Sequence, residues 1–244
     1  MTTPPEAVVE IVDLRKTYGA VVAVDGITLR VHRGEVLGIL GPNGAGKTTT
    51  VECAAGLRRP DAGTVRVLGL DPAKDPDQVR HRVGVQLQHA VLPNRMKVRE
   101  AMAVFACGYR QHADPGQLLV EWGLREHRNA AFGNLSGGQQ QRLFIALALL
   151  GEPDIVVLDE LTTGLDPAAR RDTWALVRAL EQRGVTVLLV THSMDEAETL
   201  CDRLAVIDHG RVVAEGTPEA VRGEHPDLEA AYLELTTSVL DGAR

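Results

Sequence analysis

The sequence predicts an α/β fold: a parallel sheet covered on both faces, an antiparallel N-terminal β layer, and an all-helical insert. Three observations lead there. "DIVVL" and "VTVLLV" are short, nearly continuous apolar runs, as strands buried on both faces of a parallel sheet require. The first 40 residues break into the short β-like runs "AVVEIVDL", "AVVAVDGITLRV" and "VLGIL". From about 97 to 150 the pattern is helical, with no clear strand.

Taken in order, "VLGIL" (36–40) is a strand and "KTTTVECAAG" (47–56) a helix closed by Gly56, the residue type that most easily ends one. "GTVRVLG" (63–69) and "VGVQL" (83–87) are further strands. After the helical stretch come the strand "DIVVLD" (154–159), a helix over 167–183, the strand "VTVLLVTH" (185–192) and a short helix. The hairpin "RLAVIDHGRVVAEG" (203–216) and a helical tail finish the chain. These elements form one domain over 1–244. Its α/β core covers about 1–88 and 152–222, its helical subdomain about 89–151 and its tail about 223–244.

With 44% hydrophobic and 24% charged residues, the 244-residue chain is globular with a real core. A net charge of −7 and the lack of any dense Lys/Arg cluster argue against a nucleic-acid partner. The start, "MTTPPEAVVE", lacks the basic and apolar regions of a signal peptide, and nothing points to a covalent membrane anchor. "LFIALALLG" and "VTVLLV" fall far short of the roughly 20 apolar residues of a membrane-spanning helix. Cys53, Cys107 and Cys201 are an odd number with no close pair, as expected of buried thiols in a reducing compartment. No histidine pair has metal-ligand spacing.

The chemistry begins at "GPNGAGKT" (41–48), a G-x-x-x-x-G-K-[ST] pattern set between strand and helix. Gly41, Gly44 and Gly46 let the backbone turn its N–H groups inward on an anion, and the helix start adds the positive end of its dipole. Lys47 can reach outer phosphates, and the Thr48 hydroxyl can ligate Mg²⁺. The run Gly41, Pro42, Asn43, Gly44, Ala45, Gly46, Lys47, Thr48, Thr49 is therefore the candidate site for a nucleoside triphosphate. "IVVLDE" (155–160) then ends an apolar strand in two acids. Asp159 suits Mg²⁺ beside the phosphates, and Glu160 suits polarisation of an attacking water. His192 ends another apolar strand, at the sheet edge where ligands collect, and suits a γ-phosphate contact.

"LSGGQQQR" (135–142) carries the Ser136–Gln139 spacing of a capping box ahead of an apolar helical stripe. Capping does not explain Gly137 and Gly138, each costing up to roughly 1 kcal/mol against Ala in a first helical turn. A hydroxyl, exposed N–H groups and a helix dipole make a second anion site that glycines let a ligand approach closely.

Through these ordered motifs, nearly the whole chain resembles the nucleotide-binding subunits of ATP-binding cassette transporters. The resemblance implies a P-loop NTPase (RecA-like) core, ATP with Mg²⁺, and hydrolysis coupled to transport. It also implies a head-to-tail pair of cassettes, a homodimer, in which Ser136, Gly137, Gly138 and Gln139 grip ATP held on the partner's P-loop. By the same resemblance Tyr18 in "KTYG" stacks on adenine, and Gln88 touches Mg²⁺ and water and senses the membrane partner. Asp159, Glu160 and His192 fall on the metal, general-base and phosphate-sensing positions, and Asp166 of "TTGLD" crosses the dimer interface. Asp166–Pro167 also reads as a helix N-cap followed by Pro at the first helical position.

Separate membrane-spanning permease subunits are implied, with this chain cytoplasmic and peripheral on the inner face of the membrane. Their contact falls around "HAVLPNRMKVREAMAVF", whose apolar residues fit core equally well. The family usually places Pro after the catalytic Glu; here Leu161 stands instead, which loosens the backbone beside Glu160. "THSMDEAETLCDRLAVIDHGRVVAEGTP" resembles two-component prokaryotic exporters, and the sequence ends without an appended regulatory domain. Export is the expected direction, with an importer subunit or a soluble cassette ATPase as the alternatives.

Overall fold

The computed structural model describes residues 6–88 and 90–241. "MTTPP" at the start, His89 in the segment after Gln88, and the last three residues lie outside the described residues. Two sheets organise the chain. The first is antiparallel, with β1 (Ala7–Tyr18) between β2 (Val21–His32) and β4 (Ala62–Val67). The second has six strands, in the spatial order β5 (Val83–Gln86), β6 (Ile155–Asp159), β7 (Thr186–Val190), β3 (Val36–Leu40), β8 (Arg203–Asp208) and β9 (Arg211–Gly216). β5, β6, β7, β3 and β8 run parallel, and β9 pairs antiparallel at the edge. "VLGIL", counted with the early β-like runs, thus joins the parallel sheet, and β4 supplies the third strand of the N-terminal layer.

The apolar runs are continuous because both faces of this sheet are covered. Val36 and Leu40 of β3, Val156 and Leu158 of β6, and Val187 and Leu189 of β7 enter one core. The alternating residues Leu37 and Ile39, Ile155 and Val157, and Leu188 and Val190 enter a second core. The period-2 geometry of a strand sends neighbours to opposite faces, so every position must be apolar. The second core also takes Ile11, Leu14, Ile27 and Leu29 from the antiparallel layer, together with Val51 and Ala54 of α1 (Lys47–Ala54). A short helix that the sequence reading omits, α2 (Pro76–Arg80), follows β4.

The first core takes in the helical insert: α3 (Val98–Ala106), α4 (Pro115–Glu121) and α5 (Gly137–Ala148), with 3₁₀ turns at Arg125–His127 and Phe132–Asn134. A single β-bridge pairs Lys97 with Ala131. The apolar residues after Gln88 divide between two roles. Val98, Ala101 and Met102 are buried, whereas Val91, Val104 and Phe105 are exposed. Of the three cysteines expected to be buried, Cys53 and Cys201 are, while Cys107, at the end of α3, is exposed. The remaining helices are α6 (Pro167–Gln182), α7 (Met194–Leu200), α8 (Pro218–Arg222) and α9 (Leu228–Asp241). Among the described residues no helix is long and apolar enough to cross a membrane.

This topology positions the chemistry. Ile39 of β3 and Asp159 of β6 both sit opposite Val190 of β7, so the ends of three adjacent parallel strands lie level. Whatever follows them converges on one sheet edge, where strand order and chain order diverge.

Candidate functional site

The loop after β3 turns into α1 at Gly46, whose φ of 102° is left-handed. A Cβ there would lie 2.3 Å from the Ala23 carbonyl oxygen, so only glycine fits. No side chain caps α1, and its first intrahelical bond runs from Thr50 N to Gly46 O (2.9 Å). The N–H groups of Lys47, Thr48 and Thr49 therefore precede the helical ladder and face outward as anion donors. Lys47 is buried, and its Nζ donates to the carbonyls of Gly41 (2.7 Å) and Pro42 (2.9 Å). Burial lowers its pKa, against the opposing pull of Glu160 and Asp159. A cleft of about 470 Å³ opens over this loop, lined by Asn43 through Thr49, by Val21 and Ala23, and by Gln88 and Glu160.

Tyr18 is not among the lining residues. It sits at the end of β1 opposite Val21, half-exposed, with the Arg58 guanidinium 5.4 Å and the Lys16 ammonium 5.7 Å from its ring centre.

Asp159 ends β6 almost wholly buried. Its Oδ2 accepts the Thr48 hydroxyl (3.1 Å), while its buried Oδ1 has no hydrogen-bond partner among the described residues. An orphaned anionic oxygen beside a hydroxyl is a fitting donor pair for a hard divalent cation. Burial raises the Asp159 carboxyl above its ordinary 3.8, with Glu160 adding to the rise and the Thr48 hydrogen bond opposing it. The folded chain then holds this proton to higher pH than the unfolded one, so stability falls as pH rises from 3.8 through the raised value and stays reduced at neutral pH. Asp159→Asn is accordingly expected to raise the melting temperature of the nucleotide-free chain at pH 7, by about 2–4 °C for each kcal/mol relieved. Hydrolysis should be lost in the same variant. Calorimetry showing a lower melting point would contradict this account.

Glu160, one residue on, has a left-handed φ of 52° and donates its N–H to Val190 O (2.8 Å). Its Oε2 accepts from Gln88 Nε2 (2.6 Å) and from the Thr163 hydroxyl (3.3 Å), and its Oε1 lies 3.5 Å from His192 Nδ1. Gln88, Glu160 and His192 thus meet around one carboxylate. Gln86 turns inward instead, donating to Leu87 O (2.9 Å) and Asp159 O (3.4 Å). Leu161 keeps the N–H that proline lacks, but the loosening expected from it is offset: its side chain is completely buried in the first core, which anchors the backbone by packing.

Two neighbours went unseen in the sequence. Thr163 reads there as one more polar loop residue. Glu196 reads as a solvated acid of a helical first turn, yet it is buried on α7 and accepts from Thr162 Oγ1 and Trp174 Nε1 (3.0 Å each). It ties the loop after Glu160 to α6 and to the helix following His192.

The second motif lies elsewhere in the chain. Ser136 caps α5: its Oγ accepts from Gln139 N (3.3 Å), and its N–H donates to Gln139 Oε1 (2.9 Å). The Oγ accepts there, so its own proton remains free for an outside acceptor. The two glycines part company. A Cβ on Gly138 would meet Ala169 Cβ at 3.2 Å, whereas on Gly137 the nearest atom would be Leu165 Cδ2 at 3.9 Å. Packing against α6 thus gives Gly138 a further reason to be glycine besides close approach of a ligand, whereas Gly137 stays open. Gly138→Ala is expected to cost about 1 kcal/mol or more of stability through overpacking. Gly137→Ala should hold or gain stability, by up to about 1 kcal/mol, yet weaken ATP-driven association. Thermal melts paired with sizing under Mg-ATP separate the two.

Asp166 caps α6, its Oδ1 accepting from Ala168 N (2.9 Å) and Ala169 N (3.0 Å), which holds its carboxyl below the ordinary range. Neither it nor Ser136, Gly137, Gly138 or Gln139 lines the cleft over the Gly41–Thr48 loop.

A family model described as ABC transporter matches residues 24–163, more than half of the chain. The daunorubicin/doxorubicin resistance ATP-binding protein DrrA of Streptomyces peucetius is 46% identical over 222 residues, covering 89% of this chain and 67% of that protein. Nod factor export ATP-binding protein I of Burkholderia lata is 44% identical over 222 residues, covering 89% and 73%. Among solved structures, an ATP-binding subunit of an ABC transporter superposes with a TM-score of 0.84 at 30% identity, over 93% of this chain and 99% of that one. A dimeric post-hydrolysis state of the ATP-binding cassette MJ0796 with ADP and Pi gives 0.77 at 27% identity, over 86% and 98%.

Proposed function

The chain belongs to the ABC transporter family as an ATP-binding, ATP-hydrolysing subunit, and from that premise we propose that it powers an exporter by ATP-driven pairing of two identical cassettes. One observation supports the pairing: the Gly41–Thr49 loop and the Ser136–Gln139 turn, each suited to an anion, do not share a cleft. Each is half of a composite site whose other half lies on the second copy.

The outer phosphates lie over Gly41–Thr49, where Lys47 exchanges its two backbone carbonyls for phosphate oxygens, and Tyr18, at the end of β1 outside the cleft's lining, takes the adenine. The Thr48 hydroxyl and Asp159, together with Gln88, would hold Mg²⁺, which would neutralise charge on the outer phosphates when bound. Glu160 accepts the proton of the attacking water; the Gln88 and Thr163 hydrogen bonds fix its Oε2, and His192 stands by for the γ-phosphate. From the second copy, Ser136, Gly137, Gly138 and Gln139 close on that phosphate, with Asp166 at the junction. Phosphate release removes the bridge and the pair opens.

The stroke passes to separate membrane-spanning subunits. Beside Gln88 a groove of about 340 Å³ is lined by Val91, Leu92, Phe105 and Phe144, with Val91 and Phe105 exposed. An apolar surface next to a residue that touches Glu160 is a fitting seat for a permease loop. Docking there places the chain on the cytoplasmic face of the membrane. The relatives named for drug resistance and for Nod factor export favour the outward direction.

Complementation tests the shared site. A Lys47→Ala chain and a Ser136→Arg chain, each inactive alone, leave one intact composite site when paired. Their mixture is expected to regain ATP-dependent association and to retain one slowly released nucleotide per dimer. No gain on mixing would mean that both motifs serve the same copy's nucleotide.

A further inference from the structure

We infer that His127 is a positioning residue for the Ser136–Gln139 turn, holding the Gln139 amide in the one orientation that keeps the turn intact. The inference rests on the reading of that turn as the half-site for the second copy's nucleotide.

Donors and acceptors fix the arrangement. The main-chain N–H of Ser136 can only donate, so the Gln139 atom 2.9 Å from it must be the carbonyl oxygen Oε1. The other end of the amide, Nε2, which only donates, then faces His127 Nε2 at 2.9 Å. Contact at that distance requires a lone pair on His127 Nε2, hence a neutral ring with its proton on Nδ1. The histidine sits twelve residues upstream, on the 3₁₀ turn Arg125–His127, and the pair is half-buried. Next along α5, Gln140 Nε2 donates to the carbonyls of Phe132 (3.2 Å) and Leu135 (3.3 Å), tying the intervening loop to the same helix start.

The consequence reaches the Ser136 hydroxyl. If residue 127 offered only donors, the Gln139 amide would have to rotate to present oxygen to it. Its NH₂ would then face the Ser136 N–H, the capping box would open, and the hydroxyl and free N–H groups of the turn would lose their fixed aim. Among the described residues no such chain of contacts links His127 to the P-loop cleft, so nucleotide binding within one copy should not respond.

The test uses the full chain in a Glu160→Gln background, with light scattering read against Mg-ATP concentration. His127→Lys, a donor only, is expected to raise the ATP concentration for half-maximal dimerisation about tenfold, the size of effect for a half-buried donor left facing a donor. His127→Gln, which can turn a carbonyl oxygen to Gln139, should stay within about threefold of the parent. Binding of a fluorescent ATP analogue to the monomers should match in all three. In a Gln139→Ala background His127→Lys should add nothing. Dimerisation of the His127→Lys chain at parental ATP concentrations would overturn the inference, as would a His127→Gln chain as impaired as the lysine variant. Loss of monomer ATP binding with His127→Lys would show a general structural role and also overturn it. A Glu160→Gln parent that never dimerises would remove the shared-nucleotide reading itself, and this inference with it.

Discussion

Glu160→Gln is expected to lower ATP turnover by about 10²–10⁴-fold, the contribution of a positioned general base, while nucleotide binding survives. The carboxamide keeps one acceptor oxygen for Gln88 and Thr163, so the loop has no reason to rearrange. What disappears is the capacity to take a proton from water. With chemistry blocked and the phosphate bridge intact, dimers should accumulate under Mg-ATP and outlast those of the parent chain. Phosphate release, retained nucleotide and scattering mass measure the three quantities separately. Turnover near the parental rate would remove Glu160 from the role given to it, and the Gln88–Glu160–His192 grouping would need another explanation.

Lys47→Ala is expected to act one step earlier. Its ammonium is buried and held by two backbone carbonyls, so it is already desolvated and aimed at the loop's interior. Charge-assisted hydrogen bonds contribute about 1.5–3 kcal/mol each, and loss of two to the phosphates corresponds to about 100-fold or more in ATP affinity. Association and hydrolysis should fall with binding, unlike in Glu160→Gln. The variant should stay folded, because a buried cation's desolvation is relieved as its two hydrogen bonds are lost. Calorimetric titration of the folded variant checks this, and unchanged ATP affinity would mean that the loop backbone alone holds the triphosphate.

Much of the site was legible because its motifs are local. Lys47 and Thr48 follow their glycines within a few residues, and Ser136–Gln139 and Asp166–Pro167 are helix starts whose hydrogen bonds close inside one turn. Such features depend on neighbours in the chain, so their spelling suffices. The continuous apolar strands were equally readable, since a two-faced burial leaves no polar position to mislead.

Other features required the fold. Whether Val104 and Phe105 face solvent or core depends on which side of α3 meets its neighbours, and helical periodicity fits either. The buried Glu196 looks like any first-turn acid until Thr162 and Trp174 arrive from distant segments. His127 gains its acceptor role only from Gln139, across a loop with no motif of its own. The buried strands, the phosphate loop and the capped turns are all written locally, because backbone geometry and hydrophobic period are set within a few residues. Which polar groups end up facing one another emerges only in the packed fold, because donor–acceptor pairing across space depends on contacts that no local pattern encodes.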